Sequence, residues 1–198
     1  MNSGLFTKKD KRKLVETLAL LQNNDGGFSM EKDEHSTMKC SYYTFRSLLK
    51  LKQIDFIDKE RLLKFIISNK HENGAFSNYK GQKPTPQVTS YAIFMLKELS
   101  AFLDIETGKI RKWLNTFKKE DGGFSEFPGK ESGIQFTYYI VRVFFLIGAI
   151  SDLDKEELIK FISRFGDPAK GFGKKPGVKF DALSTKQAIF LLDDINSL

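Results

Sequence analysis

In 198 residues the chain has one cysteine, two histidines and one tryptophan. The lone Cys40 excludes an intrachain disulfide, so the fold must rest on packing and hydrogen bonds. His35 and His71 leave little material for a nucleophile–base pair or a histidine-rich metal site. Long apolar runs are missing too. The most apolar, Ile140 to Ile150, is broken by Arg142 and falls well short of the roughly 20 residues that cross a bilayer. No apolar segment opens the chain in the manner of a signal peptide, so the expected location is cytoplasmic. Neither a Gly-x-Ser-x-Gly elbow nor a phosphate loop occurs.

What the chain has is phenylalanine, 19 of them, and a surplus of positive charge, formally +7. A hydrophobic content of 40% beside a charged content of 29% fits a soluble globular protein. Most of the phenylalanines are expected in the core. The charge surplus gathers partly in Lys8, Lys9, Lys11, Arg12 and Lys13. Elsewhere signs alternate, as in Asp58-Lys59-Glu60-Arg61. No stripe of basic residues interleaves with exposed aromatics, so nucleic acid is not an expected partner. An acidic partner, an anionic ligand or a membrane surface stays open.

Phe28, Phe76, Phe124 and Phe172 stand 48 residues apart each time. Each ends a glycine-containing loop: Asp25-Gly26-Gly27, Asn73-Gly74-Ala75, Asp121-Gly122-Gly123 and Lys170-Gly171. Before each loop an apolar face recurs at Leu14, Leu62, Ile110 and Leu158, then at Leu18, Ile66, Leu114 and Ile162. A spacing of four puts both sets on one helical face. Thr7, Asp58 and Asp154 are the expected N-caps. After each loop a more apolar helix carries Phe45, Ile93, Val141 and Ile189, then Leu48, Leu96, Phe144 and Leu192. Ser41, Thr89, Thr137 and Thr185 share one position near its start. Small residues recur nearby at Thr44, Ala92 and Ala188. The five prolines are expected between helices. The pattern predicts an all-α fold of four tandem 48-residue helical hairpins, about 6–53, 54–101, 102–149 and 150–198. The helices should run about 12 to 17 residues, with no β-structure. A unit of two helices cannot bury both faces alone, so neighbours stack into a single-domain curved α/α array. The more apolar second helices are expected inside.

Gln22-Asn23-Asn24-Asp25-Gly26-Gly27-Phe28 resembles the repeat shared by protein prenyltransferase β subunits and squalene or terpene cyclases. Glu120 to Ser132 resembles the prenyltransferase version, including its Pro-Gly and Glu-Ser. The resemblance spans essentially the whole chain and implies a full or partial α/α toroid around an apolar cavity. It also implies where chemistry would sit. Such prenyltransferases use a zinc held by an Asp, a Cys two residues on, and a His from the next repeat. Here the Asp position is filled by Thr37, Thr85, Gly133 and Asp181. The Cys position holds Lys39, Gln87, Gln135 and Leu183, and the His position holds Cys40, Val88, Phe136 and Ser184. No repeat supplies Asp and Cys together, so no cofactor is expected, zinc included. Lys175 and Lys179 sit somewhat like the family's diphosphate-holding basic residues. The Asp-x-Asp-Asp acid of terpene cyclases is not matched by Asp152-Leu153-Asp154 or Asp193-Asp194, which are expected to cap helices or face solvent.

The expected function is therefore that of a prenyltransferase-like protein without the zinc site. It would bind an apolar isoprenoid or lipid chain, or a protein partner or second copy. The alternative is a β-like subunit of a prenyltransferase or cyclase-like enzyme whose missing groups come from a partner. Candidate ligand-binding residues are Tyr43, Tyr91, Gln135, Tyr139 and Arg142. The last is an odd polar member of an apolar helix that either orients a ligand or pairs with a carboxylate. Cys40 is expected to be a small buried hydrophobe.

Overall fold

A computed structural model of the chain describes residues 7–102, 105–127 and 129–196. Among these residues, eight α-helices carry the fold: α1 (Lys8–Ala19), α2 (Met38–Leu51), α3 (Lys59–Ser68), α4 (Pro86–Glu98), α5 (Thr107–Asn115), α6 (Ile134–Leu146), α7 (Lys155–Ser163) and α8 (Ala182–Asn196). Contrary to expectation there is a small β-hairpin, β1 (Gly166–Asp167) with β2 (Gly171–Phe172). The chain forms two compact units, Met1–His71 with Phe76–Asp104, and Glu72–Ala75 with Ile105–Leu198. In the first unit α2 packs on α1 and α4, and α3 on α4. In the second, α8 packs on α6 and α7. The second helices thus pack on each other within each unit. None of the helices described is long and apolar enough to cross a membrane.

The expected caps are in place. Thr7 closes a full capping box with Asp10. Asp58 accepts from the Arg61 amide and Asp154 from the Glu157 amide, each at 2.9 Å. Each satisfies one of the orphan donors of a helix start. Pro86 is not between helices. It opens α4, where its missing N–H costs nothing. Pro128 lies outside the described residues. Among the first helices α1 has the expected twelve residues and α3 has ten, but α5 and α7 are shorter than expected, at nine each. Their last turns tighten into three-residue hydrogen bonds, from Phe117 to Leu114 and from Phe165 to Ile162.

Each repeated phenylalanine is clamped the same way. The amides of Phe28, Phe76, Phe124 and Phe172 donate to the hydroxyls of Ser41, Thr89, Thr137 and Thr185 at 2.9, 3.0, 2.9 and 2.9 Å. Their carbonyls accept from the amides of Thr37, Thr85, Gly133 and Asp181, the residues before the second helices. The four rings are at most 2% exposed. Asp25, Asn73 and Asp121 set the loops by accepting from the amide two residues on. Gly26 and Gly122 have φ +90° and +84°. A β-carbon at Gly26 would lie 2.0 Å from the Arg61 carbonyl of α3, and one at Gly122 would lie 2.8 Å from the Glu157 carbonyl of α7. Only glycine lets these loops seat on the following helix. Lys170 fills this position in the fourth loop, so that loop cannot seat a helix in the same way.

Thr44, Ala92 and Ala188 are buried, as their size suggested. Leu18 and Leu192 are half-buried where their equivalents are buried, and two further apolar positions break the pattern more strongly. Leu62, Ile110 and Leu158 are buried, but Leu14 is 40% exposed and Val15 takes its place in the core. Ile189 is 50% exposed, where Phe45, Ile93 and Val141 are fully buried. Both lie on sides of α1 and α8 that the packed neighbours leave uncovered. Cys40 is half-buried rather than buried.

Thr137→Val keeps the shape but strips the acceptor from the buried Phe124 amide. The expected cost is about 1–3 kcal/mol, read as a lower urea midpoint with an unchanged slope. An unaltered midpoint would mean the clamp contributes nothing.

Candidate functional site

The five residues picked from sequence fall into two groups. In the first unit Tyr43 and Tyr91 share a hydroxyl–hydroxyl hydrogen bond at 3.3 Å, and Gln87 donates to Tyr91 at 3.0 Å. Tyr91 is buried and Tyr43 is 50% exposed. In the second unit Gln135, Tyr139 and Arg142 lie along α6 with spacings of four and three, one helical face. Gln135 is exposed, and Tyr139 and Arg142 are half-buried. Tyr139 meets the ring of Tyr138 edge-on at 5.0 Å.

The positions where the resemblance would put zinc ligands are occupied by capping groups. Thr37 and Thr85 accept from the amides of Cys40 and Val88. Asp181, the only acid in that register, spends both carboxylate oxygens on Ser184. The backbone bond from Ser184 holds its carboxyl below the usual range. Beside these stand Lys39, Gln87, Gln135 and Leu183, a donor set that does not fit zinc. Among the described residues no three His, Cys, Asp or Glu side chains gather.

A cleft of about 1160 Å³ opens at the N-terminal end of α6. Lys118, Lys119, Lys130, Arg164, Lys174 and Lys175 line it, against Glu120, Asp121, Glu126 and Glu131. Lys118 is paired with Glu157 at 3.1 Å. Asp121 accepts from Ser132 at 2.6 Å and from Arg164 at 2.8 Å. Burial acts to raise its pKa, but the bonds from Ser132, the Gly123 amide and Arg164 outweigh this and hold it below the ordinary value. Phe136 and Phe165 form the apolar part of the lining. At the mouth, α6 starts at Gly133 with no side-chain cap. The first three amides of α2 are instead met by Asn78 and Thr37. Of the basic residues of this cleft only Lys175 was weighed from sequence as an anion-holding group. The signal for the rest was the lysines that flank the third and fourth glycine loops. Lys179, paired with Lys175 in that reading, is exposed and not part of the lining.

Arg142 pairs with a carboxylate: its guanidinium lies 3.4 Å from Asp194 of α8. Asp194 was expected to be a solvated or capping residue at a helix end. Its side chain is only 9% exposed because α8 turns it toward α6. Burial pushes its carboxyl up, and the pull of Arg142 does not cancel this. The folded chain thus holds this proton more tightly than the unfolded chain, and the group's contribution to stability falls as pH rises above about 3.8. Asp194→Asn removes that slope. The stability of the variant relative to the parent is expected to increase from pH 4 toward pH 7 in paired denaturant titrations. A difference that is flat with pH would show that burial does not govern this carboxyl.

No curated protein sequence matches the chain. Among solved structures, it resembles Candida albicans protein geranylgeranyltransferase-I complexed with GGPP, at 19% identity and a TM-score of 0.78. That match covers 95% of this chain and 63% of the other, so this chain spans under two-thirds of that relative's length. At that identity the likeness speaks for the fold alone. The family model for the prenyltransferase alpha-alpha toroid domain matches residues 29–193. The eight helices, the clamped glycine loops and that match together place the chain in the prenyltransferase alpha-alpha toroid domain family.

Proposed function

We propose that the chain is a prenyltransferase-like binding module that holds an isoprenoid with an anionic head, without zinc and without transferring it. The observation that carries this reading is the cleft at the start of α6. Lys119, Lys130, Lys174 and Lys175 line it together with Phe136, at the start of a helix that has no side-chain cap. Open amides and a positive helix end favour an anion, and the phenylalanines offer an apolar chain its first contact. Gln135, Tyr139 and Arg142 run down α6 from that mouth and are the groups proposed to position the chain. The family supports this choice of ligand, since the relative above was solved with GGPP. The mismatched donors at the family's metal positions support a module without zinc. Cytoplasmic residence belongs to the same reading.

A protein partner is a second reading, favoured by one observation. Phe180, Leu183, Ile189 and Phe190 are 67%, 53%, 50% and 41% exposed on and just before α8. Apolar groups gathered like this mark contact surfaces. A partner docked there would also be the route to the β-like-subunit alternative.

Calorimetric titration with geranylgeranyl diphosphate, inorganic diphosphate and geranylgeraniol tests the first reading. The diphosphate lipid should bind best, and a paired Lys174→Glu and Lys175→Glu change should weaken it about tenfold or more. Gly133→Ser should raise stability by about a few tenths of a kcal/mol by capping α6, and weaken the lipid by covering its amides. No binding of the diphosphate lipid up to its solubility limit would sink the proposal. Stoichiometric zinc with prenyl transfer to a Cys-ending peptide would instead make the chain an enzyme.

A further inference from the structure

The first unit carries a second surface with a different chemistry. A groove of about 400 Å³ runs between α1 and α2, lined by Leu14, Tyr43, Arg46, Ser47, Lys50 and Leu51. Its floor is apolar, and Leu14 is 40% exposed there although its equivalents Leu62, Ile110 and Leu158 are at most 2% exposed. The wall is held in place. Tyr43 is tied through its hydroxyl to the buried Tyr91. Arg46 donates to the Tyr42 hydroxyl at 3.0 Å and sits 5.8 Å from the ring of Phe94. Ordered tyrosine and arginine side chains around a small apolar pocket are the make-up of binding hot spots.

Both charged side chains that line the groove, Arg46 and Lys50, are basic. α2 contains Lys39, Arg46 and Lys50 and no acidic residue. α1 adds Lys8, Lys9, Lys11, Arg12 and Lys13. The two acids of α1 are already engaged: Glu16 pairs with Arg12 at 2.8 Å, and Asp10 closes the capping box with Thr7. Among the described residues neither Arg46 nor Lys50 has a carboxylate partner. From this complementarity we infer that the α1–α2 groove docks an acidic amphipathic helix of a partner protein. One or two of that helix's leucine-sized side chains enter between Leu14 and Leu51, and its carboxylates meet Arg46 and Lys50. A helix on a groove meets this shape better than the other polyanions do. A bilayer surface does not reach a recess between two helices. The site lies in the other unit from the α6 cleft, so it stands or falls separately from the isoprenoid reading.

The probe is a fluorescent helical peptide with Leu at positions i, i+4 and i+7 and Glu on its flanks, titrated into the full chain at low and high salt. A lysine-for-glutamate version serves as its opposite. The acidic peptide should bind, and bind more weakly at high salt. Leu14→Asp, and separately Arg46→Glu with Lys50→Glu, should each weaken it about tenfold or more. Both sets of side chains are at the surface, and thermal melts check that the variants fold. Charge reversal at the loop residues Lys32 and Lys80 should change the affinity by less than about twofold, which separates docking from general attraction to a basic protein. Equal binding by all variants, or preference for the basic peptide, would overturn the inference. So would tighter capture by anionic vesicles or single-stranded DNA, or a dimer in solution that Leu14→Asp dissolves, each of which would assign the groove a different occupant.

Discussion

The structure depends on one hydrogen bond made over and over: a loop phenylalanine amide donating to a serine or threonine hydroxyl 13 residues on. A phenylalanine buried this deeply carries its amide into the core with it, and a buried amide without a partner is costly. A hydroxyl in the first turn of the next helix solves that. It can also donate in return, and three of the four hydroxyls do so, not all in the same way. Those of Thr89 and Thr185 donate to the carbonyl of the same phenylalanine, and that of Ser41 to the Thr37 carbonyl. The bond therefore joins three things: where the ring sits, where the loop ends, and where the second helix begins. That is why glycine, phenylalanine and hydroxyl recur in register while most other positions vary.

The clamp also explains which features were legible in the sequence. Helix order, the caps at Thr7, Asp58 and Asp154, and the buried phenylalanines follow from local chemistry that every repeat must satisfy. What escaped depends on neighbours. Leu14 and Ile189 have the right periodicity, but periodicity says only which face is apolar, not whether anything covers it. Asp194 looked like a helix-end carboxylate, yet the rotation of α8 turned it toward Arg142. One of the two readings kept open for Arg142, pairing with a carboxylate, could be resolved only by a residue 52 positions away. The cleft at α6 was barely visible because its lysines come from separate loops that no single window of sequence unites.

The same register bears on chemistry. The residue before each second helix gives its amide to the phenylalanine carbonyl and, where it has a suitable side chain, its oxygen to the first turn of the helix. A side chain in that role is aimed along the helix axis and already holds a hydrogen bond. An acid there, as at Asp181, is stabilised as a cap, and its ionised form is favoured by the amide it faces. Serving a metal from that position would mean giving up the cap, at a cost of roughly 1 kcal/mol. Capping and ligation compete for one oxygen, and among the described residues no group of three His, Cys, Asp or Glu gathers to tip the balance.

Departures from the repeat are then the places to look for function, provided the fold does not force them. Lys170 in the glycine register faces no seated helix among the described residues. Gly133 is more informative. Its backbone, at φ −158° and ψ 153°, is extended and open to any residue, close to that of the caps Thr37 and Thr85. An added β-carbon would meet only the ring of Phe136, at 3.3 Å. Backbone strain does not require glycine there, the Phe136 ring would have to give way only slightly, and a serine would stabilise the helix start by about a few tenths of a kcal/mol. The fold thus forgoes a stabilising cap at the one second helix whose start opens onto the lysine-lined cleft. Positions that set a local rule aside without backbone strain to force it are where a functional site is expected, and Gly133 is such a position.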